Sequence, residues 1–186
     1  MIKKTVLVFL TISLLLTNYL NAQQKEKRKI KQVSAISIGS TYSSISNIKG
    51  EYKIGITALL YQEYKITKKI AFVTEIGYSQ LGIKGKDDNI RLHYLSAPLE
   101  IKVYLNKNIG LLTGLNSDIL LGSNQGKGKF QWLSSSIPIK INFNVTSFLQ
   151  LSANYNIGIN DINKSYDSET ILKNNWFGIS VLFIKL

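Results

Sequence analysis

The sequence predicts an all-β fold, an eight-stranded antiparallel up-and-down β-barrel, on the basis of three observations. From Val33 onward, apolar and polar residues alternate with a period of two, as in strands that have one apolar face. Turn-like stretches divide this alternation into eight segments. No part of the region keeps the 3.6-residue period of an amphipathic helix.

Each predicted strand has an apolar face and a polar face. In the fourth, Leu95 and Leu99 lie on the apolar face, whereas Glu100 and Lys102 lie on the other. The eighth shows the weakest contrast, because Leu182 falls on its polar face. In chain order, the alternating segments are 36–42, 54–63, 72–79, 94–103, 109–119, 133–143, 149–159 and 177–183.

The composition of the two faces predicts which one faces inward. The apolar faces are rich in Ile and Leu, and the polar faces carry Gly, Ser, Asn, Glu and Lys. A dry interior would not hold layers of unpaired charged groups, so we expect the apolar faces to contact lipid and the polar faces to fill the lumen. Each apolar face is about five residues long, close to what tilted strands need to cross ~25 Å. The alternative is a soluble, lipocalin-like barrel that binds a ligand in its mouth.

The connections between strands and the aromatic residues support the membrane interpretation. Short connections are predicted at 67–69, 106–108 and 144–146, and long ones at 44–51, 80–91, 122–131 and 160–175. This alternation predicts short turns and both termini on the periplasmic side. Two aromatic girdles are expected, with Tyr64, Phe72, Phe143 and Phe183 near the short turns and Tyr42, Tyr78, Tyr155 and Phe177 near the long loops.

The N-terminal segment predicts export to the cell envelope. Two lysines precede an apolar run at 6–16, and a polar stretch then leads to Ala22. This is the layout of a signal peptide cleaved after Ala22, and the run is too short for a membrane anchor. We therefore expect a signal peptide at 1–22, a basic periplasmic spacer at 23–32 and the barrel at 33–186. The spacer is either solvated or contacts an anionic envelope polymer or partner.

The composition excludes several classes of chemistry. The chain has no Cys and one His, which excludes disulfides, thiol catalysis, Cys-ligated zinc, iron–sulfur clusters and a polyhistidine metal centre within one chain. We expect no cofactor. The formal net charge is +12, but an exported chain whose basic run lacks interleaved aromatic residues is not predicted to bind nucleic acid.

The inward faces carry the candidate site residues, which are expected to form a buried network of ion pairs and hydrogen bonds. An eight-stranded barrel is just wide enough for side chains to fill it, so a wide pore is not expected. The network is interpreted as structural, with a narrow proton or ion path as the alternative. Its predicted members are Glu63, Glu75, Glu100, Lys102 and Lys140.

Two further features concern the strands themselves. Pro98 and Pro138 cannot donate a ladder hydrogen bond and therefore predict local bulges. His93 shares the apolar-face parity of Leu95 and is interpreted as an interfacial side chain. The alternative is a catalytic His93 acting with Asp87 or Asp88 from the adjoining loop on lipid or protein.

Two stretches resemble a known family. The segment YLSAPLEIKVY at 94–104 resembles the Tyr-Leu-x-Ile-Pro-Leu-x-x-Lys-Tyr strand of the PorT-type small outer-membrane β-barrel family of Bacteroidota, with Ala97 in place of Ile. The segment EIGYSQLG at 75–82 is similar to the preceding strand of that family, and the last strand ends on Leu186 instead of an aromatic residue. The resemblance implies an eight-stranded barrel, implies a part in envelope secretion machinery for a few members, and provides no catalytic residue.

The first functional hypothesis is a non-enzymatic outer-membrane barrel with a structural, adhesive or secretion-accessory role exerted through its external loops. The expected partners are outer-membrane lipid and envelope or secretion proteins, and the oligomeric state stays open. The alternatives are an outer-membrane enzyme that uses His93 and a soluble exported binding barrel.

Overall fold

The structure, a computed structural model, describes residues 31–85, 89–125, 127–164 and 171–184. The chain divides into two units, Met1–Lys31 and Gln32–Leu186, of which the second is the barrel. The predicted signal peptide, and the predicted spacer apart from its last two residues, lie outside the described residues. No helix within the four described ranges is long and apolar enough to cross a bilayer.

Eight antiparallel strands form a closed barrel in chain order, and each strand pairs with its sequence neighbours. The strands are β1 (Gln32–Ile45), β2 (Glu51–Lys65), β3 (Ile70–Lys84), β4 (Asn89–Tyr104), β5 (Ile109–Ser123), β6 (Leu133–Asn144), β7 (Leu149–Gly158) and β8 (Asn174–Ile184). A single 3₁₀ turn, Lys127–Lys129, lies between β5 and β6. Pairing of β1 with β8 closes the barrel, which confirms the predicted fold class.

The exposure of the side chains confirms the predicted direction of the two faces. On β2, Ile54 and Ile56 are 72% and 61% exposed, whereas Gly55 and Thr57 face the interior. The same alternation continues around the barrel, so an outward band of Ile and Leu surrounds an interior that holds Ser, Asn, Glu and Lys. A soluble lipocalin-like barrel would have the opposite arrangement, with its apolar side chains directed inward.

The predicted girdle residues point outward at the expected ends of the strands. Tyr42, Tyr155 and Phe177 are exposed toward the loops, and Phe143 and Phe183 are exposed toward the short turns. The half-buried members are Tyr64, Phe72 and Tyr78.

The three short turns, 66–69, 105–108 and 145–148, are closed in the same way. Thr67 Oγ1 accepts hydrogen bonds from the backbone N–H groups of Lys69 (3.1 Å) and Ile70 (2.9 Å). Asn106 Oδ1 and Thr146 Oγ1 accept the N–H groups two and three positions further along their own turns. A side-chain acceptor at one fixed position therefore defines the geometry of this end of the barrel.

The connections at the opposite end are 46–50, 85–88, 124–132 and 159–173. The prediction of a long loop at 80–91 is wrong, because β3 continues to Lys84 and β4 begins at Asn89. The reason is that Leu81, Ile83, Ile90 and Leu92 are buried inside the barrel, so these residues gain by staying in paired strands.

The predicted bulges at the two prolines are also wrong. Pro98 pairs with Asn116 and Pro138 with Asn156, and the register continues unchanged on both sides of each proline. On the other edge of each proline, two successive pairs are missing from the β3–β4 and β5–β6 ladders without any shift of register. The missing N–H thus interrupts a ladder locally but does not insert an extra residue.

One of the two register shifts in the barrel involves Gly82. The β2–β3 register shifts between Tyr52 and Thr57, and Gly82 on β3 has a φ of +153°, which L side chains rarely adopt. Ser43 stabilises this irregular region from β1, since its Oγ accepts the Gly82 N–H (2.8 Å) and lies 3.0 Å from the Gly82 carbonyl oxygen. The second shift lies between His93 and Tyr94 in the β4–β5 ladder.

Candidate functional site

The lumen contains a first charged cluster near the short turns, centred on Glu63. Lys102 Nζ lies 2.8 Å from Glu63 Oε2, and the Tyr61 hydroxyl donates to the same oxygen at 2.7 Å. The Tyr104 hydroxyl donates to Glu63 Oε1, and Lys102 Nζ lies 4.7 Å from the centroid of the Tyr104 ring. Glu63 therefore accepts three hydrogen bonds, and its negative charge is matched by the Lys102 ammonium.

Beside this cluster is a cavity of about 180 Å³. It is lined by the Glu63 cluster together with Lys65, Asn144, Thr146 and Gln150, so it opens among the short turns. Lys65 Nζ lies 4.0 Å from Glu63 Oε1 and 4.8 Å from the centroid of the Tyr104 ring. The charged groups that line this cavity are thus paired, and Val33 and Ile184 add apolar side chains to its lining.

A second charged cluster lies in the middle of the lumen. Lys140 Nζ lies 2.9 Å from Glu75 Oε1 and 3.0 Å from Glu100 Oε2. The five sequence-predicted residues are therefore all inside the barrel, but they form two separate clusters instead of one network. An ammonium shared by two carboxylates needs further donors nearby, because one positive charge cannot neutralise both acids.

Asp118 is a buried carboxylate that the predicted network did not include. It is 1% exposed, accepts a hydrogen bond from the Ser96 hydroxyl, and accepts another from Asn116 Nδ2 at 2.9 Å. No cation in the described ranges lies within salt-bridge distance of it. Its position on the polar face of β5, opposite Ser96 in the ladder, is the signal that could have assigned it to the lumen.

The middle of the lumen holds a second cavity of only about 20 Å³, which has room for little more than one water molecule. Four buried polar atoms of residues that line this cavity have no protein partner: Glu100 Oε1, Asn116 Oδ1, Asn156 Nδ2 and Trp176 Nε1. Two of these atoms are acceptors and two are donors, so a water molecule could bond to both kinds. The lumen is therefore filled at this level.

The described interior holds two apolar clusters, a smaller one near the short turns, made of Ala35, Tyr61, Val73, Leu112 and Leu182, and a larger one at the loop end. A buried cluster occupies this end, made of Ile45, Leu81, Ile83, Ile90, Leu92, Tyr94, Phe130, Ile162 and Trp176. Phe130 and Ile162 belong to loops, and they reach the cluster because their loops fold over the mouth. The predicted polar filling therefore describes the middle of the lumen and, at the short-turn end, the surroundings of Glu63, whereas an apolar plug closes the loop end.

Backbone hydrogen bonds join the two longest loops above this plug. Gln131 N–H donates to the Ile162 carbonyl (2.7 Å) and Lys164 N–H to the Lys129 carbonyl (3.2 Å). Asp161 Oδ1 accepts the N–H groups of Asn163 (2.9 Å) and Leu172 (2.8 Å), which ties the two ends of the 159–173 connection together.

The loop 46–50 is attached to the same assembly. Ser46 N–H donates to the Lys173 carbonyl (2.9 Å), and Asn47 Nδ2 donates to the Ile171 carbonyl (2.8 Å). We call the described parts of 46–50, 124–132 and 159–173 the loop cap. The loop cap is a structured surface that covers the barrel mouth.

His93 lies outside the lumen, on the outer wall of β4. Its Nδ1 is hydrogen-bonded to the Tyr78 hydroxyl on β3. Asp87 and Asp88, the acids that the catalytic hypothesis pairs with His93, lie outside the described residues. No carboxylate in the described ranges contacts the imidazole, and no group of three or more His, Asp or Glu side chains in these ranges is arranged to hold a metal ion.

No family model matches the chain, and no curated protein matches it. Among solved structures, the chain is similar to Ail, the attachment invasion locus protein of Yersinia pestis, at 16% identity and a TM-score of 0.50, over 84% of this chain and 100% of Ail. It is also similar to Neisserial surface protein A (NspA), at 15% identity and a TM-score of 0.51, over 82% of this chain and 95% of NspA. At these identities the similarity establishes the fold alone, and the chain has the fold of small eight-stranded outer-membrane β-barrels.

Proposed function

We propose that this chain is a non-enzymatic, non-conducting barrel of the bacterial outer membrane, of the PorT type, that acts through its loop cap. The observation that carries the proposal is the apolar plug, in which Phe130 and Ile162 bring the two longest loops into the barrel mouth. A barrel that is closed in this way presents a surface at its loop end instead of a passage.

Insertion in the membrane is supported by the outer wall. The exposed side chains of all eight strands include Ile, Leu, Val or Phe, and aromatic residues stand at both ends of this apolar band. A closed barrel leaves no unpaired strand edge in the hydrocarbon. In the proposed orientation the short turns and both termini face the periplasm, and the loop cap faces outward.

The filled lumen supports a structural role for the two charged clusters. The cavity at the middle cluster measures only about 20 Å³, and Trp176, which lines it, also belongs to the plug beneath the loop cap. This packing disfavours the predicted alternative of a narrow proton or ion path. We therefore assign Glu63, Glu75, Glu100, Lys102 and Lys140 to barrel stability.

The charge of the loop cap favours an anionic partner, which fits an adhesive role more closely than a purely structural one. The described exposed side chains at this end include Lys49, Lys129 and Lys164, while Asp161 is engaged with backbone N–H groups. Because the cap is already structured, contacts with a polyanionic surface would require little loop ordering. A secretion-accessory role through the same surface is the second interpretation of this feature.

A binding experiment on vesicles tests the role of the loop cap. Proteoliposomes that carry the full chain are expected to bind dextran sulfate and not neutral dextran. The double variant Lys129→Gln/Lys164→Gln should lower the affinity several-fold, because phosphate-like and sulfate-like anions bind surface lysines mainly through charge. The matched control is Lys68→Gln/Lys107→Gln, which removes the same charge from the short turns.

The control variant should bind as the wild type does when only the loop-cap side of oriented vesicles is accessible. Equal losses in both double variants would mean that binding follows net charge and not the loop cap. An absence of binding by the wild type would remove the adhesive role.

A further inference from the structure

Four polar side chains lie on the outer wall of β3 and β4 where the apolar band ends toward the loops, and we call them the β3–β4 polar patch: Tyr78, Gln80, Arg91 and His93. Gln80 and His93 are direct partners in the β3–β4 ladder, and Arg91 lies opposite Gly82. All four positions have outward parity, with Arg91 exposed and the other three half-buried. Toward the short turns the next outward positions, Ile76 and Leu95, are apolar, whereas toward the loops the exposed Lys84 and Asn89 continue the polar face.

The patch lies at the depth of lipid headgroups in the proposed membrane orientation. Tyr78 is part of the loop-side girdle and pairs with Leu95. His93 and Arg91 follow Leu95 toward the loops at intervals of two residues, and each interval raises the side chain by roughly 5 Å along the barrel axis for a strand tilted by about 40°. His93 therefore lies about 5 Å, and Arg91 about 10 Å, beyond the level of the aromatic girdle.

Arg91 is the cation of the patch, and the other three members have side chains that can donate hydrogen bonds. In the tautomer whose Nδ1 accepts the Tyr78 hydroxyl, His93 carries its hydrogen on Nε2, which lies on the opposite side of the ring. The nearby Lys84 is paired with Glu51 at 3.2 Å, whereas no carboxylate in the described ranges lies within salt-bridge distance of Arg91. The backbone of Arg91 is fixed, because its N–H donates to Asn124 Oδ1 at 2.7 Å.

We propose that the β3–β4 polar patch binds the phosphate group of an outer-leaflet lipid headgroup, with Arg91 as the charged contact and His93 Nε2 and Gln80 as additional donors. A guanidinium gives two parallel hydrogen bonds to phosphate oxygens, and the imidazole N–H can reach a third. The acyl chains of the same lipid would lie along the apolar wall below Tyr78. The inference rests on the proposed insertion in the membrane.

Lipid retention by the full chain tests the site. The protein is reconstituted in phosphatidylcholine nanodiscs with a minor fraction of phosphatidylglycerol, and native mass spectrometry measures the fraction of protein that retains each lipid. Wild type is expected to retain phosphatidylglycerol selectively. Arg91→Gln should reduce this retention about tenfold, because it removes a charge-assisted, bidentate contact. His93→Ala should reduce it about threefold, as expected for one neutral hydrogen bond.

Lys68→Gln, which removes one positive charge at the short turns, is the matched control and should retain the lipid as the wild type does. Equal losses in Arg91→Gln and Lys68→Gln would overturn the proposal, as would equal retention of the two lipids by the wild type. Displacement of the lipid by millimolar inorganic phosphate would also overturn it, since the site would then bind the free ion. A heat-modifiable gel band for every variant separates these outcomes from a failure of membrane insertion, which would contradict the proposed function itself.

Discussion

Lys140 forms ion pairs with two buried carboxylates, Glu75 and Glu100, and is the one cation in the described ranges within salt-bridge distance of either. Burial of charged groups is unfavourable unless they are paired, so the stability of this level depends on a single ammonium group. Glu63 is arranged in the opposite way, with one carboxylate that accepts from one lysine and two tyrosines. The middle cluster therefore depends on one lysine, whereas three donors share the stabilisation of Glu63.

Removal of the Lys140 charge tests this arrangement. Lys140→Met is expected to lower the free energy of unfolding by about 3–5 kcal/mol at neutral pH, because two carboxylates then remain buried without a cation. The loss should become smaller as the pH falls, since protonation makes both carboxyl groups neutral. Urea unfolding in detergent micelles, followed by Trp fluorescence, measures both quantities.

Lys68→Met is the control for this substitution, because Lys68 is exposed in a short turn. A loss of less than about 1 kcal/mol in Lys140→Met, or a loss independent of pH, would show that the middle cluster does not hold ionised carboxylates.

For individual residues, the sequence predicts which side chains face the lumen but not which side chains they contact there. Period-two parity placed Glu63, Glu75, Glu100, Lys102 and Lys140 inside the barrel, where the structure has them. Parity does not show how the strands are staggered around the barrel, so it could not separate the Glu63–Lys102 cluster from the Lys140 cluster. Strand register, which depends on the three-dimensional pairing, determines that separation.

Among the structural elements, the 159–173 connection is the longest segment between two strands, and its described ends are held by hydrogen bonds. Asp161 Oδ1 accepts hydrogen bonds from residues near both ends of the connection, Asn163 and Leu172. Ile162 lies between these contacts and is fully buried in the plug. The carboxylate is therefore one of the contacts that hold this loop over the mouth, together with the backbone hydrogen bonds to the neighbouring loops.

Loss of the Asp161 carboxylate should loosen the loop cap but not the barrel. Asp161→Ala is expected to increase the rate of proteolytic cleavage in the 159–173 connection about tenfold, while the heat-modifiable band stays intact, because two N–H groups lose their acceptor. Limited proteolysis of intact proteoliposomes with mass-spectrometric mapping of the cuts measures the rate.

The control for the loop variant is Glu51→Ala, which removes a loop-end acid whose contact is an exposed ion pair with Lys84. Similar cleavage rates in the two variants would mean that Asp161 does not hold the loop cap in place.

Turns and strands can be predicted from the sequence where neighbouring residues determine them. They cannot be predicted where packing against residues distant in sequence determines them. The short turns follow from Thr67, Asn106 and Thr146, which are visible in the sequence. The residues at 80–84 and 89–93 also alternate, but here the apolar members, such as Leu81 and Leu92, face the lumen and the polar members face outward, the reverse of the adjoining parts of β3 and β4. Only burial of Leu81 and Leu92 in the plug explains why these residues are in strands, and this burial depends on loops that are distant in sequence.

The barrel is covered at its loop end and has a cavity at its short-turn end. A cavity of about 180 Å³ opens among the short turns, and the loop end is covered by the plug and the loop cap. An eight-stranded barrel could be inferred from sequence because it needs only strand number and parity, whereas the plug requires knowledge of how loops fold back. Both proposed binding surfaces, the loop cap and the β3–β4 polar patch, lie at the covered end of the barrel.

Single-channel recording in planar lipid bilayers tests the central claim most directly. The purified full chain, refolded to a heat-modifiable form, is expected to insert without producing conductance steps, because the plug and the filled middle of the lumen leave no continuous aqueous path. Reproducible conductance steps from the wild-type protein, altered by substitution of Lys140 or Phe130, would contradict the account and assign the function to the lumen.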